Sequence, residues 1–293
     1  MSGINQISLL LSLFQGSSTS ALTGSSSSSG AGFLDILNAV MPGAATNSPV
    51  SASGLPDGSL SASGRKLSLF DPESAFRMMT DINQREVSYQ GEFSEMTDMQ
   101  AWVSQMQSAG QSLAGVDAGA SDTDIRTKLA GFVDTYNQWI DRFDEALAKG
   151  GLLNGTQAAS VAQWELEQSI ENPFTGAVDR IRGMTALGVS IDPQTNVATL
   201  DSAKLDAALA DHKDAVIRTI EAFGTHFAKS AELLNSANNF IPNRLDNLSR
   251  AIDYIGSNRS DLQAEFGTGD AARPEGALAQ ALASYRAMQG TKS

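Results

Sequence analysis

A chain of 293 residues is long enough to bury the core of one or two ordinary domains. It contains no cysteine, which excludes disulfides, thiolate catalysis and thiolate metal sites. Its 33 acidic and 20 basic residues leave a net charge of −13, which disfavours nonspecific attraction to nucleic acid or to an anionic membrane.

Composition changes abruptly at Arg65. The 64 residues before it carry only two charges, Asp35 and Asp57, and include 26 Ser or Gly. Such a stretch gains little from packing and loses much backbone entropy on ordering, so it reads as a flexible leader over 1–64. Two apolar islands interrupt it, Ile7 to Phe14 and Phe33 to Met41. They fit buried core segments, transient helices or contact sites for a partner. The first follows no basic stretch and is too short to span a bilayer, which argues against an ordinary signal peptide and against membrane insertion. The chain is therefore either cytosolic or exported by a route that reads a flexible N-terminus.

The first strong helical pattern follows Asp71-Pro72, where Asp71 can cap and Pro72 fits the first turn. Met79, Ile82, Tyr89, Phe93, Met96, Met99, Val103 and Met106 recur at steps of three, four or seven, predicting a long helix over 72–109. The Gly-, Ala-, Ser- and Asp-rich stretch from Ser108 to Thr123 should turn the chain. A second helix is predicted from Asp124 to Leu147, burying Leu129, Phe132, Val133, Tyr136, Trp139, Ile140 and Phe143. Gly150-Gly151 ends it. Further helices are expected over Gln157 to Ile170 and over Phe174 to Met184.

One strand pair stands out: Val189 to Ile191 and Val197 to Leu200, joined by the turn-forming Asp192-Pro193-Gln194-Thr195-Asn196. Asp201 then caps a helix through Ala210, and another begins near Asp214 with Val216, Ile217, Ile220 and Phe223 on its apolar face. From Pro242 onward Leu245, Leu248, Ile252, Ile255, Leu262 and Phe266 follow coiled-coil-like spacing, with Arg259 at the missing apolar position. This stripe suits either a helical hairpin with 72–109 or a seam between subunits. Gly267 to Gly276 breaks the pattern, and Leu278 to Met288 allows a short terminal helix. The fold class is mainly α, with a long helical leg and a C-terminal coiled-coil-like helix around a small helical domain with one short β-hairpin. The parts are the leader 1–64, the leg 65–118, the compact domain 119–235 with its hairpin at 189–200, and the C-terminal segment and tail 236–293.

Catalytic and metal-binding patterns are wanting. His212 and His226 sit 14 residues apart in no ligand spacing and read as solvated helical residues. Glu167 and Glu171 share a helix face while Glu165 points elsewhere, and no further group defines a cleft. The run from Asp192 to Asn196 imitates the start of a calcium loop, but Val197 stands where a Gly is needed and Ala203 where a bidentate Glu is needed. There is no G-x-x-x-x-G-K-[ST], H-E-x-x-H or G-x-S-x-G. No catalytic, cofactor-binding or metal residue is assigned, no cofactor is expected, and the chain reads as a non-enzymatic assembly protein.

Leu187-Gly188-Val189-Ser190-Ile191, continuing through Val197-Ala198-Thr199-Leu200-Asp201 to Lys204-Leu205 and Ala208-Leu209, resembles a segment of the flagellar filament cap protein family, also called flagellar hook-associated protein 2. Phe132-Val133-Asp134-Thr135-Tyr136-Asn137 resembles that family's Phe-Val-x-x-Tyr-Asn helix. Leu153-Asn154-Gly155 stands in place of a short connection, and Asn196 where the family usually has Gly. The stretches from Phe70 to Ala109 and from 245 to 266 resemble its two terminal helical legs. The resemblance implies a structural subunit secreted to the bacterial flagellum through the flagellar export apparatus. It further implies a homo-oligomer whose partners are flagellin or hook-filament junction subunits and an export component or chaperone. This chain departs from the family in leaving room only for a turn between Ala109 and Asp124, where β-rich outer domains are usual. A secreted or cytosolic helical binding module unrelated to the filament cap is the alternative.

Overall fold

The computed structural model describes residues 60–174 and 181–290. The leader up to position 59, with both apolar islands, lies outside the described residues, and so does the separate unit Met1–Thr46. The described chain is mainly helical with one small hairpin.

Helix α1 runs from Pro72 to Ala114, 43 residues or about 65 Å. Its start is as expected: the Asp71 side chain accepts from the Ser74 amide at 3.0 Å, and Pro72 occupies the first turn. Its end lies five residues beyond the expected Ala109, because Gly110 and Gly224 serve a helix crossing and not a stop. A Cβ on Gly110 would lie 2.8 Å from the Ala228 nitrogen, and one on Gly224 only 2.4 Å from the Ala114 nitrogen.

The residues Gly115–Ser121 turn the chain into α2, Asp122–Leu147. Its cap is Ser121, earlier than the expected start at Asp124, because Ser121 and Asp124 form a reciprocal capping box. Helix α3 spans Gln157–Glu171. Residues 175–180 of the helix expected over 174–184 lie outside the described residues. Asn172 is extended, as the residue before a proline prefers, and Phe174 lies in a turn with its side chain exposed. A single turn, α4, forms at Gly183–Ala186, entered through a left-handed Gly183 at φ 65°.

Strands β1, Val189–Ile191, and β2, Ala198–Leu200, pair antiparallel with Val189 opposite Leu200 and Ile191 opposite Ala198. Alternation puts Val189 and Ile191 inward and Ser190 outward. The two helices expected on either side of residues 211–213 are both present, meeting at a kink at His212, whose φ of −147° and ψ of 47° leave the helical region; together they are α5, Ser202–Leu234.

The expected single helix from Pro242 to Phe266 is two, α6 over Phe240–Ser257 and α7 over Arg259–Phe266, parted at Asn258. A last helix, α8, spans Gly276–Gly290. These three pack along α1 within the same chain. Leu248 is 0% exposed, Ile255 1% and Leu262 7%, so within the chain these positions of the stripe are buried, as a hairpin with α1 requires. Arg259, at the missing apolar position, pairs with Glu86 and reaches Asn83.

The principal apolar core begins at Met96 on α1 and gathers α2, α3, the hairpin and α5, ending at Ile241. Phe132 of α2 stands edge-on to Phe223 and Phe227 of α5, at centroid distances of 5.3 and 4.9 Å. No helix among the described residues is long and apolar enough to cross a membrane.

Candidate assembly surface

The family-like residues converge on one locked junction. Asn137, projecting from α2, donates from Nδ2 to the Ala198 carbonyl at 2.9 Å and accepts the Ala198 amide at 2.8 Å. Gly188 sits at φ 90°, where a Cβ would lie 2.5 Å from the Asp201 carbonyl oxygen, and its own carbonyl accepts the Asp201 amide at 2.9 Å. Asp201 caps α5 through the Lys204 amide, while Lys204 Nζ donates to the Thr185 carbonyl at 2.7 Å. Leu205, Leu209, Phe132, Val133 and Tyr136 are buried beneath. In the turn, Asn196 holds the left-handed conformation, φ 56°, in place of a glycine.

The residues weighed for chemistry are dispersed or already engaged. His212 and His226 are both exposed on α5. The Asp192 carboxylate accepts the amides of Gln194 and Thr195 at 2.8 and 3.0 Å, and these bonds hold its pKa below the usual carboxylate range. It is a turn cap. Glu167 is half-buried, and burial, then the neighbouring Glu171, push its carboxyl up. Burial also pushes the Tyr136 hydroxyl up, with both glutamates adding to it. Among the described residues, no three or more His, Asp or Glu side chains gather as a metal site would require.

Two features of the described surface stand out. At the foot of the leg, Leu67 and Phe70 are 60% and 83% exposed. The leg above them is clasped by the C-terminal segment: Arg244 donates to both Glu92 oxygens at 2.6 Å, and Asn83 donates to the carbonyls of Thr268 and Asp270 at 3.1 and 2.9 Å. Beyond the clasp, a depression of about 180 Å³ opens between the C-terminal half of α2, α3 and the hairpin turn. Its walls include Trp139, Phe143, Asp144, Leu147, Gln163 and Asn196. Trp164, next to Gln163, is exposed. Sequence spacing assigned Trp139 to the core, where it lies; that it also walls a depression depends on the hairpin turn, distant in sequence.

The model of the family described as flagellar hook-associated protein 2 C-terminus matches residues 105–269. Among solved structures, the chain is similar to the crystal structure of a three-domain fragment of the flagellar cap protein from Escherichia coli, at 23% identity and a TM-score of 0.38. That likeness covers 43% of this chain and 37% of the other. No curated protein matches the chain.

Proposed function

The chain belongs to the family of the flagellar hook-associated protein 2 C-terminus, and on that premise we propose that it is a flagellar cap-like or axial accessory subunit that supports filament assembly. The carrying observation is the family match over 105–269, which contains the junction of Asn137, Gly188, Asp201 and Lys204. In this reading the protein is a non-enzymatic secreted subunit. It is exported by the flagellar apparatus with a chaperone or export component, forms a homo-oligomer, and meets flagellin or hook-filament junction subunits. No residue is given a catalytic, cofactor or metal role. The working parts are the leader 1–64, the leg 65–118, the compact domain 119–235 and the C-terminal segment 236–293.

The turn at Gly115–Ser121 makes it a minimal form, because no outer domain stands between α1 and α2. Contact with neighbours then falls to the helical body itself. Deletion of the gene, with purification of flagella from the parent strain, tests the reading. The chain should be found in isolated flagella, and its loss should impair filament growth and motility. Absence from flagella together with unchanged filaments and motility overturns it. A helical module unrelated to the flagellum rests on that short α1–α2 connection and on the long apolar helix α1.

A further inference from the structure

The chain contains a single Asn-Gly dipeptide, Asn154-Gly155, and it stands at the corner between α2 and α3. The Leu153 carbonyl accepts the Thr156 amide at 3.1 Å, so Asn154 and Gly155 are the two central residues of a tight turn. Both are exposed. Gly155 takes a φ of 76°, and no atom lies within 4 Å of the place where its Cβ would stand. Its amide donates to no acceptor among the described residues. The main-chain nitrogen that follows the Asn154 side chain is thus unshielded by a side chain and uncommitted to a hydrogen bond.

The Asn154 carboxamide also has a structural task. Its Nδ2 donates to the Leu147 carbonyl at 2.9 Å, and Leu147 is the last residue of α2. The last turn of that helix carries Asp144 and Glu145 and no basic residue, so a donor is favoured at this end and an anion is not. On one side of Asn154, Leu153 is 0% exposed and its amide donates to the Ala146 carbonyl at 2.9 Å. On the other, Thr156 is the N-cap of α3. The corner therefore has little slack.

We propose that Asn154-Gly155 is a site of spontaneous deamidation, and that the reaction removes a cap from α2. The Gly155 nitrogen gives its proton to hydroxide and attacks Cγ of Asn154, closing a five-membered succinimide ring. The Cγ–Nδ2 bond breaks, and the side-chain nitrogen leaves as ammonia with a proton taken from water. Water then opens the ring at either carbonyl, leaving aspartate, or isoaspartate with the main chain routed through the side-chain carbon. Nothing is oxidised or reduced. Either product exchanges the donor for a carboxylate, and isoaspartate lengthens the main chain between the anchored Leu153 and the start of α3. The Leu147 bond holds the carboxamide while it lasts, so the reaction draws on molecules in which the end of α2 has frayed. The site rests on the α2–α3 corner and is independent of the flagellar reading.

The full chain, kept in mildly alkaline buffer and sampled over weeks, is digested and its tryptic peptides are separated and weighed. Trypsin isolates residues 150–180, where the other asparagine, Asn172, precedes Pro173 and so has no amide hydrogen after it to lose. This peptide should gain the mass of an amide turned into an acid and split into two chromatographic products, with isoaspartate in excess. Asn196, followed by Val197 and carried in the peptide 183–204, is the internal reference and should react severalfold more slowly. Gly155→Ala should slow the reaction at position 154 severalfold, because its methyl group shields the nitrogen; should that variant fail to fold, the Asn196 reference in the unaltered chain carries the test. Aged chain and Asn154→Asp should both show faster hydrogen exchange in the last turn of α2, with α5 unchanged, and a lowered melting temperature. No gain of mass at position 154, or a rate no greater than that at Asn196, overturns the site. Unchanged exchange and melting temperature in Asn154→Asp overturn the loss of the cap.

Discussion

Asn137 on α2 and Ala198 on β2 exchange two hydrogen bonds, at 2.9 and 2.8 Å, as residues of paired strands do. A two-stranded ribbon is marginal by itself, and here a helix side chain takes the place of a third strand along its edge. Asn137→Ala would leave both main-chain groups of the buried Ala198 without partners. We expect it to cost about 2 kcal/mol, read by urea denaturation, with exchange of the hairpin amides accelerated more than that of α1. Asn137→Asp keeps the acceptor but sets a carboxylate oxygen against the Ala198 carbonyl, and should cost at least as much.

Gly224 should tolerate no side chain, because a Cβ there would lie 2.4 Å from the Ala114 nitrogen and 2.6 Å from the Gly110 carbonyl oxygen. Both atoms are backbone, so α1 and α5 would have to part. Gly224→Ala is expected to destabilise by roughly 3 kcal/mol or more, as overpacking of a rigid crossing does. Gly131, exposed inside α2, has open space where a Cβ would stand, with no atom within 4 Å, and Gly131→Ala should stabilise by about 0.8 kcal/mol. Opposite shifts in melting temperature for the two substitutions are the check.

Arg244 and Glu92 form the tighter part of the clasp, their side chains 23% and 11% exposed. Truncating one would strand a charge in a mostly dry place. Glu92→Ala or Arg244→Ala is expected to cost about 2 kcal/mol, and the double variant less than the sum. A double-mutant cycle by chemical denaturation measures this coupling, and strict additivity would show that the pair contributes nothing.

Regular burial was legible in the residues, and local interruptions were not. The seven apolar positions from Leu129 to Phe143 are all buried as their spacing required, since a helix returns them to one face. The hairpin was legible from alternation and from Asp192 to Asn196. Pro173 was legible as the reason the preceding helix stops at Glu171, since it holds Asn172 extended. The stretch from Ser108 read as a turn too early, because the reason for Gly110, the backbone of Ala228, lies far along the chain. Arg259 was visible as an exception to the stripe, but its partner Glu86 precedes it by 173 positions. The depression combines α2, α3 and the hairpin turn, a juxtaposition that no local pattern announces.

Glu167 should give a pH signature. Burial and Glu171 raise its pKa in the folded chain, so the native state binds this proton more tightly than the unfolded state. Its contribution therefore turns against folding as pH rises from the unfolded pKa through the folded one. Glu167→Gln is expected to raise stability at neutral pH by a fraction of a kcal/mol after solvent screening, and to lose that advantage below the unfolded pKa. Melting temperatures of both forms across the acid range, converging at the low end, are the measurement.

Leu248 and Ile255 lie seven positions apart on α6 and are both sealed against the rest of the chain. Replacing the two together by Asp introduces two charges where the clasp excludes water, at a cost on the order of several kcal/mol. The principal core extends from Met96 to Ile241 and includes neither residue, so the damage should fall first on the leg and the C-terminal helices. We expect helical circular dichroism to fall, amides over 240–290 and in the first turns of α1 to exchange rapidly, and those of α2 and α5 to stay protected. Sedimentation separates this from an interface effect. If the double variant kept its full helix signal and protection while forming smaller particles, Leu248 and Ile255 would be subunit contacts, and their burial by α1 would not describe the assembled protein.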